Sequence, residues 1–210
     1  MTTAICFDLD GTLVQLDRPY EAVLADVFER HVGETAPALT EAYDEAFFEA
    51  FRNLDPEPYR RGMAAALEAA DEAGIDADAD PGAMVETLRT AEYEAGTVPS
   101  AARESLAELD EAAALALVTD GLPDWQRGKL DHHGLADRFD AVVTSYEAGA
   151  HKPDRAPFDL ARERVPADEY AMVGDDYEAD VEGARAAGFV PVHYEDGDGP
   201  DFWATLRALA

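Results

Sequence analysis

The chain has 210 residues, of which 47% are hydrophobic, so it can bury a substantial core as one domain or as a domain with a smaller insertion. Asp and Glu number 46 against 16 Lys and Arg, giving a formal net charge of -30 at pH 7. This charge repels the phosphates of nucleic acids and anionic membrane surfaces, so we exclude binding to either as a function.

The acidic residues occur throughout the chain, and only two of the basic residues are lysines, Lys129 and Lys152. This pattern resembles proteins from salt-loving organisms, so we interpret the charge as an adaptation to concentrated salt. The single cysteine, Cys6, lies in an apolar run and excludes a disulfide framework. No apolar run approaches the ~20 residues that span a bilayer, so we expect a cytoplasmic protein.

The first predicted strand is the short apolar run from Ala4 to Phe7, which ends at the sequence Asp8-Leu9-Asp10-Gly11. An apolar run followed by such a turn predicts a buried strand that delivers two carboxylates at its carboxyl end. Gly11 permits the close turn that follows these carboxylates.

A different pattern follows this turn, because residues 15–92 repeat apolar side chains with helical period and contain no strand pattern. Breaks divide this segment into about four helices and fall at residues 33–37, 55–58 and 74–82. We therefore predict a helical cap domain at 15–92, inserted into a core domain formed by 1–14 and 93–210.

Strand and helix patterns alternate through the rest of the chain. The further strands are predicted at Ala114 to Val118, Ala141 to Val143, Ala171 to Val173 and Phe189 to Val192. The helices are predicted around residues 100–110, 123–133, 154–165, 178–187 and 201–209. This alternation predicts an α/β fold, with a Rossmann-like parallel sheet and helices on both of its faces.

Polar residues follow several of these strands at the point where each strand ends. Ligands of parallel sheets gather at the carboxyl ends of the strands, so we expect Asp8, Asp10, Thr119 and Asp175 to share one crevice. Lys152 follows the third strand through a short loop and is expected to reach the same place.

This set of residues suits phosphoryl transfer, which needs a nucleophile, charge neutralisation and an acid for the leaving oxygen. Asp8 is predicted to attack phosphorus, while Asp10 protonates the leaving alkoxide and later deprotonates water. Mg²⁺ prefers oxygen ligands, so Asp8, the backbone carbonyl of Asp10 and Asp175 form the predicted metal site. Asp176 and Asp180 are predicted to hold these ligands in place without binding the metal themselves.

Phosphate binding is predicted for the segment Thr119-Asp120-Gly121 and for Lys152, whose ammonium offsets negative charge on the phosphate and on Asp8. Lys129 is instead predicted to lie on a helix surface with its stem packed. The histidines at the ends of the predicted helices are assigned structural roles.

Four segments together resemble the motifs of the haloacid dehalogenase superfamily of phosphatases. In chain order these are Asp8-Leu9-Asp10-Gly11-Thr12-Leu13, Thr119-Asp120-Gly121, Lys152-Pro153-Asp154, and Gly174-Asp175-Asp176 with Asp180. The helical insertion is similar to the family's type 1 cap, which implies a small phosphorylated metabolite as the substrate. The segment from Leu115 to Phe158, with Gln126, Lys129, Gly134-Leu135 and Phe139-Asp140, is similar to the branch of phosphoglycolate and nucleotide phosphatases.

Two residues depart from the usual motifs of this family. Asp120 stands where Asn is more common and Asp176 where a small polar residue is common, and we interpret both as products of an acid-rich composition.

A 2-haloacid dehalogenase is the nearest alternative function, but that branch lacks the second aspartate, Asp10. A phospho-acceptor domain and a non-catalytic phosphate-binding module are further alternatives, and the sequence leaves open a monomer or a homodimer.

Overall fold

The computed structural model describes residues 2–195 and 200–209. The chain divides into two compact units, an α/β unit of Met1–Gln15 with Thr97–Ala210 and a helical unit of Leu16–Gly96. Two short strands, β2 (Gln15–Leu16) and β3 (Gly96–Thr97), pair with each other where the chain leaves and re-enters the α/β unit. The helical unit therefore continues beyond residue 92, at which the sequence pattern ended.

The α/β unit is built on a five-stranded parallel sheet in the order β5-β4-β1-β6-β7. Its strands are β1 (Thr3–Phe7), β4 (Ala114–Thr119), β5 (Ala141–Thr144), β6 (Glu169–Gly174) and β7 (Val190–His193). All five lie where the sequence predicted a strand, and the predicted α/β fold with a parallel sheet is confirmed.

Helices cover both faces of this sheet. They are α5 (Ser100–Leu109), α6 (Pro123–His132), α7 (Ser145–Ala148), α8 (Arg155–Arg164), a π-helix (Tyr177–Glu182), α9 (Gly183–Ala187) and α10 (Pro200–Leu209). In β1, Ile5 and Phe7 point into the core on one face, whereas Ala4 and Cys6 point into the core on the other. Because both faces are buried, the strands are continuous apolar runs rather than alternating ones.

Burial also explains the state of the single cysteine. Cys6 is buried in the core between the sheet and its helices, and this burial raises the pKa of its thiol to about 12. A thiol in this environment is held in its protonated, unreactive form.

The helical unit contains four helices, α1 (Tyr20–Val32), α2 (Pro37–Arg52), α3 (Pro58–Glu72) and α4 (Pro81–Ala95). The last three begin at a proline, which suits the first helical turn because its missing N–H has no acceptor there. α1 is followed by Gly33, whose φ of 79° is the left-handed conformation common after helix ends. In the described residues, no helix is both long and apolar enough to cross a membrane.

The charge of -30 predicts a fold that is stabilised by salt. Repulsion among surface carboxylates favours expansion, and added ions screen this repulsion. Its range falls to about 10 Å at 0.1 M salt and to about 3 Å at 1 M salt. We expect the melting temperature to rise steadily from dilute to molar potassium chloride, measured by circular dichroism. Sucrose is the control, because it strengthens apolar burial without screening charge. A melting temperature that does not change with salt would contradict this prediction.

Candidate active site

The candidate active site lies at the carboxyl ends of β4, β1 and β6, which are neighbours in the sheet. Asp8 follows β1, Thr119 ends β4 and Asp175 follows β6, so the parallel strands bring all three to one edge. They line a crevice of 220 Å³ within the α/β unit. Every site residue predicted from the sequence lines this crevice except Gly121.

Asp8 is held at the floor of the crevice by the sheet itself. Its backbone N–H donates to the carbonyl of Val173 at 2.8 Å, which continues the pairing of β1 with β6 by one residue. Its carboxylate Oδ1 accepts a hydrogen bond from Lys152 Nζ at 2.8 Å. Burial raises the pKa of Asp8 to about 8, and the Lys152 ammonium opposes this shift while the Asp180 carboxylate adds to it.

Lys152 is buried and its ammonium group has three acceptors. Besides Asp8, Nζ donates to Asp180 Oδ1 at 2.6 Å and to the carbonyl of Val118 at 3.0 Å. Burial alone lowers the pKa of Lys152, but the carboxylates of Asp8 and Asp180 raise it above its usual range. Lys152 therefore stays charged between Asp8 and Asp180, with each of its protons in a hydrogen bond.

Three carboxylates meet beside this lysine. Asp8, Asp175 and Asp180 each place one oxygen within 4.8 Å of the others. Both oxygens of Asp180 accept hydrogen bonds, from Lys152 Nζ and from the backbone N–H of Asp176 at 3.1 Å. The described hydrogen bonds engage only one oxygen of Asp8 and one of Asp175.

The turn after β1 fixes the position of Asp175. Thr12 is buried, and its hydroxyl donates to Asp175 Oδ1 at 2.7 Å. Gly11 has a φ of +84°, and a Cβ at this position would overlap the Asp175 carboxylate. Only glycine therefore allows the turn to approach Asp175 so closely.

Asp10 lies at the mouth of the crevice, with 48% of its side chain exposed, and contacts two side chains of α6. Lys129 Nζ donates to Asp10 Oδ1 at 2.6 Å, and Gln126 Nε2 donates to Asp10 Oδ2 at 2.8 Å. Gln126 Nε2 also donates to the hydroxyl of Thr119 at 2.9 Å. Each oxygen of the Asp10 carboxylate thus has its own donor.

Comparison with known proteins identifies the family of the chain. A model of the family described as haloacid dehalogenase-like hydrolase matches residues 2–188. The chain is a haloacid dehalogenase-like hydrolase. The superfamily resemblance of the four motifs is thereby confirmed at the level of the family.

Two curated relatives of this hydrolase are named as phosphatases. Ribulose-1,5-bisphosphate 5-phosphatase of Halopiger xanaduensis is 33% identical over 217 residues, covering 96% of this chain and 88% of that protein. Phosphoserine phosphatase of Thermus thermophilus is 38% identical over 229 residues, covering 94% of this chain and 90% of that protein. These relatives are consistent with a hydrolase that acts on phosphate esters.

A solved structure is similar over the whole chain. It is 2-haloacid dehalogenase from Pseudomonas syringae, with 25% identity, a TM-score of 0.73 and coverage of 100% of this chain and 98% of that one. Dehalogenases and phosphatases therefore share the architecture of this hydrolase, and the reaction has to be argued from its site residues.

The prediction that Lys129 lies on a helix surface is wrong. Its side chain is only 3% exposed, because Lys129 shares the buried stripe of α6 with Trp125, Gln126 and Leu130. The charge stays compatible with burial because the ammonium reaches Asp10. A signal was present in the sequence, since Gln126 and Lys129 are three residues apart and so share a helix face with the neighbouring apolar residues.

The three residues of the second motif, Thr119-Asp120-Gly121, make different contacts. Thr119 and Asp120 both line the crevice, and the Asp120 carboxylate accepts the backbone N–H of Lys152 at 3.1 Å and lies 3.8 Å from His151 Nδ1. Gly121 donates its N–H to Ser145 Oγ at 3.0 Å, and a Cβ there would lie 3.0 Å from Gln126 Cδ. Gly121 therefore makes room for the Gln126 amide.

Asp176 lies in the crevice wall and begins the π-helix. Its carboxylate accepts the backbone N–H of Ala179 at 2.8 Å, and its own N–H donates to Asp180. Asp176 therefore caps this helix and fixes Asp180, which in turn binds Lys152. Asp caps a helix about as well as the small polar residue that the family commonly has at this position, so the exchange keeps the cap.

The donors around the acidic cluster fit a hard divalent cation. Asp8 and Asp175 place carboxylate oxygens within 4.8 Å of each other, and Mg²⁺ prefers such ligands in company with water. The hydrogen bonds of Thr12 and Asp180 would hold this cluster in place from outside.

Proposed function

We propose that this hydrolase is a magnesium-dependent phosphatase of small phosphorylated metabolites and forms an aspartyl-phosphate on Asp8. One observation carries the proposal. The two aspartates of motif one occupy different environments, since Asp8 is buried against Lys152 whereas Asp10 is half exposed against Lys129 and Gln126. Two carboxylates in distinct environments suit two distinct chemical roles.

In the first step, an Asp8 carboxylate oxygen attacks phosphorus and the bond from phosphorus to the ester oxygen breaks. The departing alkoxide takes a proton from the Asp10 carboxyl group and leaves as an alcohol. In the second step, water attacks phosphorus and gives a proton to Asp10. The Asp8–phosphate bond breaks, which releases inorganic phosphate and restores the Asp8 carboxylate.

Other residues of the crevice neutralise and orient the phosphate. The Lys152 ammonium lies 2.8 Å from Asp8 and offsets the negative charge that accumulates when a phosphate meets this carboxylate. The Thr119 hydroxyl, which accepts from Gln126, keeps its own proton for a phosphate oxygen. Mg²⁺ held by Asp8, Asp175 and the Asp10 carbonyl would supply further neutralisation of the phosphate charge.

The substrate class is proposed from the relatives and from the helical unit. The two curated relatives are named for ribulose-1,5-bisphosphate and phosphoserine, which are both small phosphate esters. We therefore propose a substrate of this size, such as a phosphoglycolate, sugar phosphate or nucleotide monophosphate. The helical unit of residues 16–96 is proposed to act as the cap that selects it.

A haloacid dehalogenase is the second candidate, because the chain has the architecture of one over its full length. Displacement of a halide by Asp8 creates no alkoxide, so it needs no proton donor at the second motif-one position. Here Asp10 is present and both of its oxygens are hydrogen-bonded. This feature favours the phosphatase.

The test is phosphate release with and without Mg²⁺. The panel contains phosphoglycolate, phosphoserine, ribose 5-phosphate, uridine monophosphate and p-nitrophenyl phosphate. We expect hydrolysis with Mg²⁺, loss of it after exhaustive dialysis against a chelator, and recovery when Mg²⁺ is returned, because three clustered carboxylates otherwise repel the phosphate.

Chloride release from 2-chloropropionate is measured alongside as the control for the second candidate. Full phosphatase activity after chelation would contradict the metal requirement. Efficient chloride release without phosphatase activity would identify a dehalogenase instead.

A further inference from the structure

The two lysines of this chain occupy equivalent places beside the two aspartates of motif one. All other basic residues, apart from the histidines, are arginines. Lys152 and Lys129 are each 3% exposed at their side chains, and they bind Asp8 at 2.8 Å and Asp10 at 2.6 Å. Lysines are thus absent from the exposed surface of the described residues, and both contact the crevice carboxylates.

Lys129 contacts Asp10 together with Gln126, one turn earlier on the same face of α6. Lys129 binds one carboxylate oxygen and Gln126 binds the other, which fixes both the position and the rotation of the Asp10 carboxylate. Gln126 also donates to the hydroxyl of Thr119 and to the backbone carbonyl of Asp120 at 3.1 Å. The amide therefore links Asp10 to the second motif.

Stability alone does not account for these two buried polar side chains. Burying an ammonium group costs free energy unless it is well paired, and an apolar residue of similar volume is often as good or better. Gln126 is 2% exposed, and its Oε1 has no hydrogen-bond partner among the described residues, which is a further cost. A leucine or methionine of similar volume would avoid both of these costs.

The backbone on both sides is fixed by other contacts. In the motif-one turn, Gly11 N–H donates to the carbonyl of Val14 at 2.9 Å, and Val14 N–H donates to the carbonyl of Leu9 at 2.8 Å. In α6, Leu130 anchors the helix in the core. The contacts of Lys129 and Gln126 therefore add constraint to the Asp10 side chain rather than to the fold.

We propose that Lys129 and Gln126 are positioning residues for the proton transfers of Asp10. This inference rests on the proposed phosphatase function. Neither Lys129 nor Gln126 is among the described residues that line the crevice, and they act by holding the Asp10 side chain where it meets first the leaving oxygen and then the attacking water. Misplacing a proton donor by a fraction of its hydrogen-bond reach lowers the rate of the chemical step.

The test replaces Lys129 with Met, which keeps the volume and removes the charge. With Mg²⁺ present, we expect kcat to fall roughly 10-fold to 100-fold on the best alkyl phosphate of the panel, with little change in KM. The fall should be smaller on p-nitrophenyl phosphate, whose leaving group needs no proton. Arg127→Met is the matched control, since Arg127 lies on the same helix but binds Glu147 at 2.9 Å, and its kcat should stay within twofold of wild type.

A double variant separates positioning from general damage. If Lys129 acts through Asp10, Asp10→Asn with Lys129→Met should be about as slow as Asp10→Asn alone. Multiplied losses, or equal losses on both substrates, would overturn the inference. Near-ultraviolet circular dichroism checks that each variant is folded. If Lys129→Met does not fold, the same measurements on Gln126→Met test the positioning role.

The outcomes also separate this inference from the function on which it rests. An active wild type with Lys129→Met unchanged on the alkyl phosphate overturns the positioning role alone. A wild type that hydrolyses no phosphate ester overturns both.

Discussion

Asp8→Asn should lower phosphate release by about 10⁴-fold or more, because an amide cannot form the covalent bond to phosphorus that the proposed reaction requires. Asp8 is only 7% exposed, but Asn has nearly the same volume as Asp, so the fold should tolerate the substitution. Acid-quenched mass spectrometry should find a phosphate adduct on the peptide containing Asp8 in wild type and none in the variant.

Asp10→Asn should fail in a different way. The variant keeps the nucleophile and loses only the proton donor, so we expect a loss of about 10²-fold to 10⁴-fold in turnover of alkyl phosphates. Phosphorylation of Asp8 should still occur slowly, most readily from p-nitrophenyl phosphate. The adduct should then accumulate relative to turnover, since Asp10 is also needed to deprotonate water.

The adduct experiment distinguishes the possible nucleophiles. Asp175 is the natural control position, because it lies in the same acidic cluster and lines the same crevice. An adduct on the Asp175 peptide, or an unchanged adduct in Asp8→Asn, would falsify the assignment of Asp8. Equal behaviour of Asp8→Asn and Asp10→Asn would show that the two carboxylates do not divide the roles.

The sheet could be predicted from the sequence because its strands are unusually uniform. Ala4 to Phe7 and Ala114 to Val118 are apolar at every position, as strands buried on both faces must be. Each of these two runs ends at a polar residue of the crevice, and parallel strands end at the same edge. The grouping of Asp8, Thr119 and Asp175 therefore follows from topology alone.

The partners of Asp10 could not be predicted in the same way. Lys129 and Gln126 come from a helix that follows β4, and their contact with the turn after β1 depends on how α6 packs against the sheet. A charged residue in a helix of an acidic protein is usually solvated, and that expectation failed because Lys129 shares the buried stripe with Leu130. The scarcity of lysine was the more useful signal.

The roles of Asp120 and Gly121 also depended on contacts distant in sequence. Both belong to a segment for which phosphate binding is predicted from the sequence. In the structure Asp120 holds the backbone of Lys152, and Gly121 gives space to Gln126. Single-sequence reasoning places such residues near the site, but it does not show which atoms face the ligand.

Lys152→Met should cost both activity and stability, whereas Lys129→Met should cost activity alone. Loss of the Lys152 ammonium should lower turnover by about 10²-fold or more, because a preorganised charge beside the phosphate is lost. It also leaves the buried carboxylates of Asp8 and Asp180 uncompensated, which should lower the free energy of unfolding by about 3–5 kcal/mol.

Lys129→Met, measured under the same conditions, tests whether the loss of stability depends on the burial of the paired aspartate. Asp10 is 48% exposed at its side chain, so water can solvate its carboxylate once Lys129 is removed. In chelator, thermal unfolding of Lys152→Met should therefore occur on the order of 10 °C below wild type, while Lys129→Met should unfold near wild type. Equal destabilisation by the two substitutions would contradict the difference in burial between Asp8 and Asp10. Retained activity in Lys152→Met with loss in Lys129→Met would show that Lys129, and not Lys152, is the lysine that neutralises the phosphate.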